Sequence, residues 1–454
     1  MPPHDQSADR FLYDGYTIDR ADGVVCCTYV TAGHRFTERY AFGPDGEWGS
    51  PPVEAAVRLL FLLAGVSYYK TTAAPVIDLG GTTTSASERD FLARYYREGL
   101  GEFAYRNHLD LGDLSVIGPD GPGGTPPTGV QYAPRPGRPL IPFGGGIDSI
   151  VTVEALRTAH PGAALCIVHP PGERFAAIED AAALTELPIG RTERTIDPLV
   201  RHSAALGFLN GHVPITAVIT AAALVAAVLD QRDAVVLSNE WSASVPTLID
   251  AGRPVNHQWS KGEAFEHGFA QMVTDALGPG VSVFSYLRPR TELWVAHQFA
   301  QLTRYHRAFR SCNRAFHQDA AQRLDHWCGT CDKCCFIDLI LAPYMSAAAL
   351  SAVFAGREPL ARAENAGRFR TLLGLQPDAK PFECVGDVGE CRAAVLLAAA
   401  RDDRRDTPLL QQLQLAVAAG PDDAVLDASA LLAPVGPHYI PERYAPPDLL
   451  VRAR

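Results

Sequence analysis

Short runs at residues 24–29 and 35–42, in which apolar and polar positions alternate, predict antiparallel strands, because a period of two puts one apolar face on a sheet. Helical spacing of apolar residues then predicts helices over 53–63 and 87–105. The second begins with Ser87, Glu88 and Asp90, whose carboxylates suit the positive end of a helix. These elements predict an α+β N-terminal domain, residues 1–136. Residues 118–138 carry 12 Gly or Pro in 21 positions, too many for either kind of backbone ladder, and the domain boundary is placed there.

From Pro139 the pattern changes. Short apolar segments at 140–143, 164–169, 192–196 and 234–237 alternate with longer helical patterns at 149–158, 174–187 and 213–229. That rhythm predicts an α/β fold with a central doubly wound parallel sheet, residues 137–345. Ser238, Asn239 and Glu240 follow the strand at 234–237, on the edge where open α/β sheets bind ligands. After about Tyr344 the chain is rich in Ala and Leu, with helical runs at 346–354, 390–401 and 409–418, and a helical C-terminal domain, 346–454, is expected. Tyr95, Tyr96 and Tyr105 read as packing residues on a helix, and the charged run 401–406 as a solvated helix end.

Across 454 residues, 40 Lys+Arg against 51 Asp+Glu give a net charge of −11. A basic surface for nucleic acid is therefore not expected, and no nucleic-acid partner is assigned. The first ten residues, MPPHDQSADR, lack the layout of a secretory signal. The apolar stretch 213–229 contains Pro214, Thr216 and Thr220 and falls short of the roughly 18 to 20 residues that span a bilayer. A cytoplasmic protein with no membrane partner is expected. The oligomeric state stays open.

Five of the ten Cys (Cys312, Cys328, Cys331, Cys334 and Cys335) crowd one region, which in a cytoplasmic chain points to metal or thiol chemistry. Cys328, Cys331 and Cys334 at three-residue spacing, with Cys312 upstream, offer the four soft ligands of a structural Zn²⁺. Two alternatives stay open: reactive thiols, with Cys335 outside the four-ligand set, and plain burial. Cys26, Cys27, Cys166, Cys384 and Cys391 read as small core residues.

The segment Phe143-Gly144-Gly145-Gly146-Ile147-Asp148-Ser149 joins a strand to a helix. Its glycines permit positive φ and close approach, and the helix that follows points free N–H groups at an anion. A pyrophosphate would fit. Neither Walker A nor G-x-G-x-x-G is matched. The segment resembles the SGGxDS loop of the ATP pyrophosphatases, with Gly144 where that family usually has Ser. The likeness implies a sheet of the adenine nucleotide alpha hydrolase-like type. It also implies that Gly144, Gly145, Gly146, Asp148 and Ser149 hold the phosphates of ATP, with Mg²⁺ nearby.

Further motifs occur in order: Ser238-Asn239-Glu240-Trp241-Ser242-Ala243, Asn256-His257-Gln258-Trp259-Ser260-Lys261, Phe265-Glu266, Ser311-Cys312-Asn313, and Trp327-Cys328-Gly329-x-Cys331-x-Lys333-Cys334-x-Phe336. Together they are similar to the UDP-N-acetylmuramoyl-L-alanyl-L-glutamate epimerase family, known as MurL, with Trp241 where that family has Arg. The resemblance implies that ATP and Mg²⁺ drive inversion of the terminal L-Glu of UDP-N-acetylmuramoyl-L-alanyl-L-glutamate to D-Glu through an acyl-adenylate. AMP and diphosphate would be released, in peptidoglycan synthesis. Two readings remain beside it: another ATP pyrophosphatase, such as a 7-cyano-7-deazaguanine synthase or a tRNA-modifying enzyme, and a non-enzymatic ATP-binding sensor.

The candidate catalytic residues are Asp148, Glu240, His257, Lys261 and Cys335. Ser238 and Asn239 are candidate nucleotide contacts, and Glu240 suits Mg²⁺, ribose or base chemistry. His257 suits proton transfer and Lys261 a phosphate contact; only Lys70, Lys261, Lys333 and Lys380 occur in the chain, so a Lys inside a motif carries extra weight. His169 reads equally as an adenosine contact or a cap.

Overall fold

In the computed structural model, which describes residues 9–121, 131–317, 319–376, 380–419 and 428–450, the first alternating runs form part of a three-strand meander: β1 (Arg10–Asp19), β2 (Val24–Thr31) and β3 (His34–Ala41). β1 left no clean alternation in the sequence because its register with β2 shifts between Tyr13 and Gly15. Two short parallel strands follow, β4 (Val76–Asp78) and β5 (Ser115–Ile117). The βαβ region supplies β6 (Arg135–Pro142), β7 (Ala164–His169), β8 (Ile189–Thr195) and β9 (Arg232–Leu237). After a small ribbon of β10 (Leu248–Asp250) and β11 (Arg253–Val255) comes β12 (Ser282–Ser285).

One ten-stranded sheet runs β12-β9-β6-β7-β8-β3-β2-β1-β4-β5. Its first five strands are parallel, and β3 joins β8 antiparallel through Arg39–Thr195, Tyr40–Arg194 and Ala41–Glu193. The N-terminal strands are thus an extension of the central sheet rather than a sheet of their own. The Gly/Pro-rich boundary falls partly on residues 122–130, outside the described residues.

From β6 the chain moves outward to β7 and β8, then returns to β9 and β12 on the other side of β6. Side chains alternate between two cores. Ile141, Ile167, Val236 and Phe284 face one, with the helices Ile147–Leu156 and Ala176–Leu184, while Leu140, Cys166, Val235 and Val283 face the other, with the helices Ile215–Leu229 and Glu263–Leu277. Helices cover both faces, so the winding is double. The reversal of strand order leaves a crevice at the C-terminal ends of β6 and β9.

The helix expected at 87–105 is two helices, Ala86–Gly99 and Gly101–Asn107, and the first is capped by Ser85. Ser85 Oγ accepts from Glu88 N at 3.1 Å and Glu88 Oε2 from Ser85 N at 2.9 Å, a reciprocal capping box. Tyr95 and Tyr96 are buried as expected, whereas Tyr105 is 39% exposed and lies against Phe382. Helix Ile215–Leu229 is apolar all round because it is sandwiched between the sheet and helix Pro51–Ala64. Among the described residues, Pro51–Tyr69, not 213–229, is the stretch long and apolar enough to cross a membrane, and most of it is buried in the second core.

After β12 the chain is helical. Glu292–Gln301, Asp332–Leu341, Ala366–Leu372, Val388–Ala399 and Pro408–Ala418 share the first core with helix Ile147–Leu156, so packing is continuous across residue 345. In the charged run 401–406, Arg404 is not solvated: it is buried and donates to Glu358 Oε1 at 2.7 Å.

Candidate active site

The glycine loop leaves β6 as Phe143 N donates to Cys166 O at 2.9 Å, and reaches helix Ile147–Leu156 through Gly146, an N-cap with no side chain to occupy the first N–H groups. Those donors face open cleft. Gly145 has φ +74°, and a Cβ there would meet Ala177 O at 2.5 Å and Ile178 Cα at 3.0 Å. Gly144 would meet nothing within 4 Å, so the serine of pyrophosphatase loops would fit in its place. Gly145→Ala is therefore expected to lower stability by about 3 kcal/mol, while Gly144→Ala leaves the melting temperature unchanged. Thermal melts of the two variants check this.

The loop opens on a cleft of about 410 Å³ lined by Gly144, Gly146, Asp148, Ser149, Ser238, Asn239 and Lys261, all read from sequence, and by Glu292, Arg310, Lys333 and Cys384. Phe143, Val168 and Ile178 give it an apolar wall. Two of the chain's four Lys are here. Ser149 Oγ is spent on the loop itself, donating to Gly146 O at 3.0 Å, whereas Ser238 Oγ is buried with no partner. Asn239 Nδ2 donates to Ser285 Oγ at 3.0 Å, tying the ends of β9 and β12.

Carboxylate oxygens of Asp148, Glu240 and Glu292 lie within 4.8 Å of one another, and Asp148 Oδ1 is buried without a hydrogen bond. Burial and the Glu240 charge push the Asp148 carboxyl up to about 7 against the pull of Lys333 and Lys261. Burial, Glu240 and Asp148 likewise raise Glu292. Three mutually repelling carboxylates with an orphaned oxygen fit a divalent cation, and oxygen donors suit Mg²⁺. Glu292 carried no motif signal; it is the first residue of helix Glu292–Gln301, brought here by the return from β12.

A buried arginine holds the surrounding loops in register. Arg288 donates to Glu240 O at 2.8 Å, Lys261 O at 2.5 Å and Glu266 Oε2 at 2.7 Å, linking three of the sequence motifs. His257 is not on the cleft wall itself; its Nδ1 pairs with Glu102 Oε2 at 2.5 Å, beside His212. Burial opposes charge on His257, yet hydrogen bonds to Cys384 and Glu102 raise it to about 9. Trp241 stands next to Gly436 instead of presenting a cation.

Two sequence assignments change. Cys335 is fully buried and lines no part of the cleft, and burial followed by Asp338 and Asp332 raises its thiol far from ionisation. It has no access to a substrate carbon. Cys384, read as a core residue, lines the cleft and accepts from Lys261 Nζ at 3.2 Å. His169 hydrogen-bonds Pro170 O at 2.8 Å and lines a different hollow with Arg174 and Arg191, which fits a loop-holding role.

The sulfurs of Cys312, Cys328, Cys331 and Cys334 lie within 4.8 Å of one another, with 3.4 Å from Cys331 to Cys334 and 3.7 Å from Cys328 to Cys334. A tetrahedron with Zn–S bonds of about 2.3 Å has edges of about 3.8 Å, so the set fits zinc. Cys312 follows Arg310 and Ser311, which line the cleft, so the cluster anchors one cleft wall from behind.

The MurL N-terminal domain family matches residues 3–286 and the MurL C-terminal domain family residues 308–427. A Micromonospora protein named UDP-N-acetyl-alpha-D-muramoyl-L-alanyl-L-glutamate epimerase is 38% identical over 451 residues, 96% of this chain and 97% of its own. Proteins of the same name from Xanthomonas oryzae pv. oryzae and Salinispora tropica are 38% and 37% identical, over 86% and 96% of this chain and 84% and 95% of theirs. No solved structure matches the chain.

Proposed function

The chain belongs to the MurL family, and from that membership we propose that it inverts the terminal L-Glu of UDP-N-acetylmuramoyl-L-alanyl-L-glutamate to D-Glu, consuming ATP and releasing AMP and diphosphate, in peptidoglycan synthesis. The observation that carries the ATP-dependent part is the convergence, in one cleft, of the free helix N-terminus at Gly146, the Asp148–Glu240–Glu292 group and the Lys261 and Lys333 cations.

An ionised α-carboxylate resists loss of its neighbouring proton, since the product would carry two negative charges on one small fragment. In the proposed sequence the carboxylate oxygen attacks the α-phosphorus of ATP and diphosphate leaves, so the acid becomes an acyl-adenylate without that charge. The α C–H bond then breaks, its electron pair passing to the acyl oxygen, and a proton returns to the opposite face. Water finally attacks the acyl carbon and AMP leaves. The first turn of helix Ile147–Leu156 offers backbone donors for the phosphates, and Lys261 and Lys333 place two cations on the same space. Asp148, Glu240 and Glu292 would hold Mg²⁺, which supplies charge neutralisation as diphosphate departs. The apolar wall of Phe143, Val168 and Ile178 suits a purine face.

The test is incubation of the purified protein with ATP, Mg²⁺ and the UDP-dipeptide in deuterated water. D-Glu carrying α-deuterium, together with AMP, is the expected product. Inversion without deuterium would exclude carbanion chemistry, and AMP formation that depends on tRNA or ammonia instead would favour another ATP pyrophosphatase.

A further inference from the structure

Cys384 lies in the segment 380–387, ahead of helix Val388–Ala399, with no periodic pattern to mark it. The segment is fastened on two sides. Phe382 packs on Tyr105 and under the Arg106 guanidinium at 4.9 Å, and Glu383 Oε1 accepts from Asn313 Nδ2 at 2.8 Å. Directly after these anchors Cys384 lines the cleft that holds Asp148 and Ser238. Lys261 Nζ donates to it at 3.2 Å, and Lys333 donates to the Cys384 carbonyl. His257, held by Glu102 at 2.5 Å through Nδ1, adds its charge to that of the two lysines acting on the same thiol.

We propose that Cys384 is a proton-transfer residue of the inversion, its sulfur positioned at the cleft by Lys261 and its backbone held by Lys333. The assignment rests on the function proposed above and names the group that function lacks. In the step, the α C–H bond of the acyl-adenylate breaks, the proton goes to the Cys384 sulfur and the electron pair to the acyl oxygen. A protic group on the opposite face delivers the new proton, and the thiol returns its own to solvent through the open cleft.

The charges around Cys384 suit a base. Lys261, Lys333 and His257 face it as cations, Asp148 and Glu383 as acids. Burial opposes ionisation, but Lys261, the hydrogen bond from His257 and Lys333 outweigh it and bring the thiol down from 9.0 to about 6. A base with a pKa just below neutrality is mostly ionised at pH 7 while still holding a proton well in the transition state.

The test uses full-length Cys384→Ala and Cys384→Ser proteins, each checked by thermal melting, with two readouts. Isotope exchange between diphosphate and ATP in the presence of the UDP-dipeptide reports adenylation; α-deuterium incorporation and Glu chirality report proton transfer. Expected is a fall of at least about 100-fold in deuterium incorporation and inversion, with exchange at no less than about a third of wild type. Inversion within threefold of wild type, or parallel loss of exchange and inversion, would overturn the assignment. A wild-type protein that shows no dipeptide-dependent exchange would instead bring down the proposed function itself. Independently, iodoacetamide labelling of wild-type Cys384 should rise with pH through a midpoint of about 6, and a midpoint near 9 would count against it.

Discussion

Asp148→Asn is expected to lower AMP formation by about 10³-fold, equivalent to about 4 kcal/mol of barrier, while making the cation-free protein more stable. Both effects come from one arrangement. Asp148 meets Glu240 and Glu292 within 4.8 Å, and its Oδ1 has no donor. The amide keeps the shape and removes a charge, so it relieves repulsion among the remaining carboxylates and weakens the cation site. The sign with pH follows from linkage. A carboxyl raised from 3.8 to about 7 by folding binds more protons in the folded state. Its stabilising contribution is therefore complete below its unfolded value and is lost as pH rises through about 7. In chelator, wild type should melt at lower temperature at pH 8 than at pH 5, and the variant should show a smaller decline. Mg²⁺ should raise the wild-type melting temperature at pH 8 and leave the variant's unchanged. Equal Mg²⁺ shifts in both proteins, or undiminished AMP formation, would remove Asp148 from the site. Such a balance between a strained charge cluster and function is a common feature of active sites.

The second large effect concerns Cys328→Ser. Zinc content near one per chain in the wild type should fall below about a tenth, with a loss of about 4 kcal/mol of stability. For a chain of 454 residues that corresponds to a shift in melting temperature of roughly 4 °C, from an unfolding entropy of about 2.1 cal/mol/K per residue. The reason is topological. Cys312 comes from the irregular segment after Arg310, Cys331 caps helix Asp332–Leu341 and Cys334 is inside that helix, so one ion joins an unperiodic strip of chain to the first core. Activity should fall as well, because Arg310, Ser311 and Asn313 lose their fixed footing at the cleft. Metal analysis and melting together decide it: unchanged metal content with unchanged stability would return the four thiols to plain burial.

Much of the sheet was legible because apolar periodicity is a local property. The strand 164–169 and helix near 149–158 needed only their own residues to be recognised, and the glycine loop announced itself by adjacency to both. The cysteine spacing was legible for the same reason: three of its four members fall within seven consecutive residues. Where local signals misled, a nonlocal cause was responsible. The helix start read at Ser87 lies two residues earlier, where Ser85 closes its box with Glu88, and Cys335 looked available for chemistry until the first core closed over it.

The sequence by itself determined a parallel βαβ core, a glycine bend opening onto a helix N-terminus and a four-sulfur set. Tertiary structure decided who meets at that bend. Glu102 and His257 are 155 residues apart, and Lys261 and Cys384 are 123 apart, separations across which no local period carries information. Their approach depends on the reversal of strand order at β6 and β9 and on the C-terminal helices folding back against the same face. Hydrophobic burial drives that return, and it leaves no trace in the identity of the polar residues it carries to the cleft.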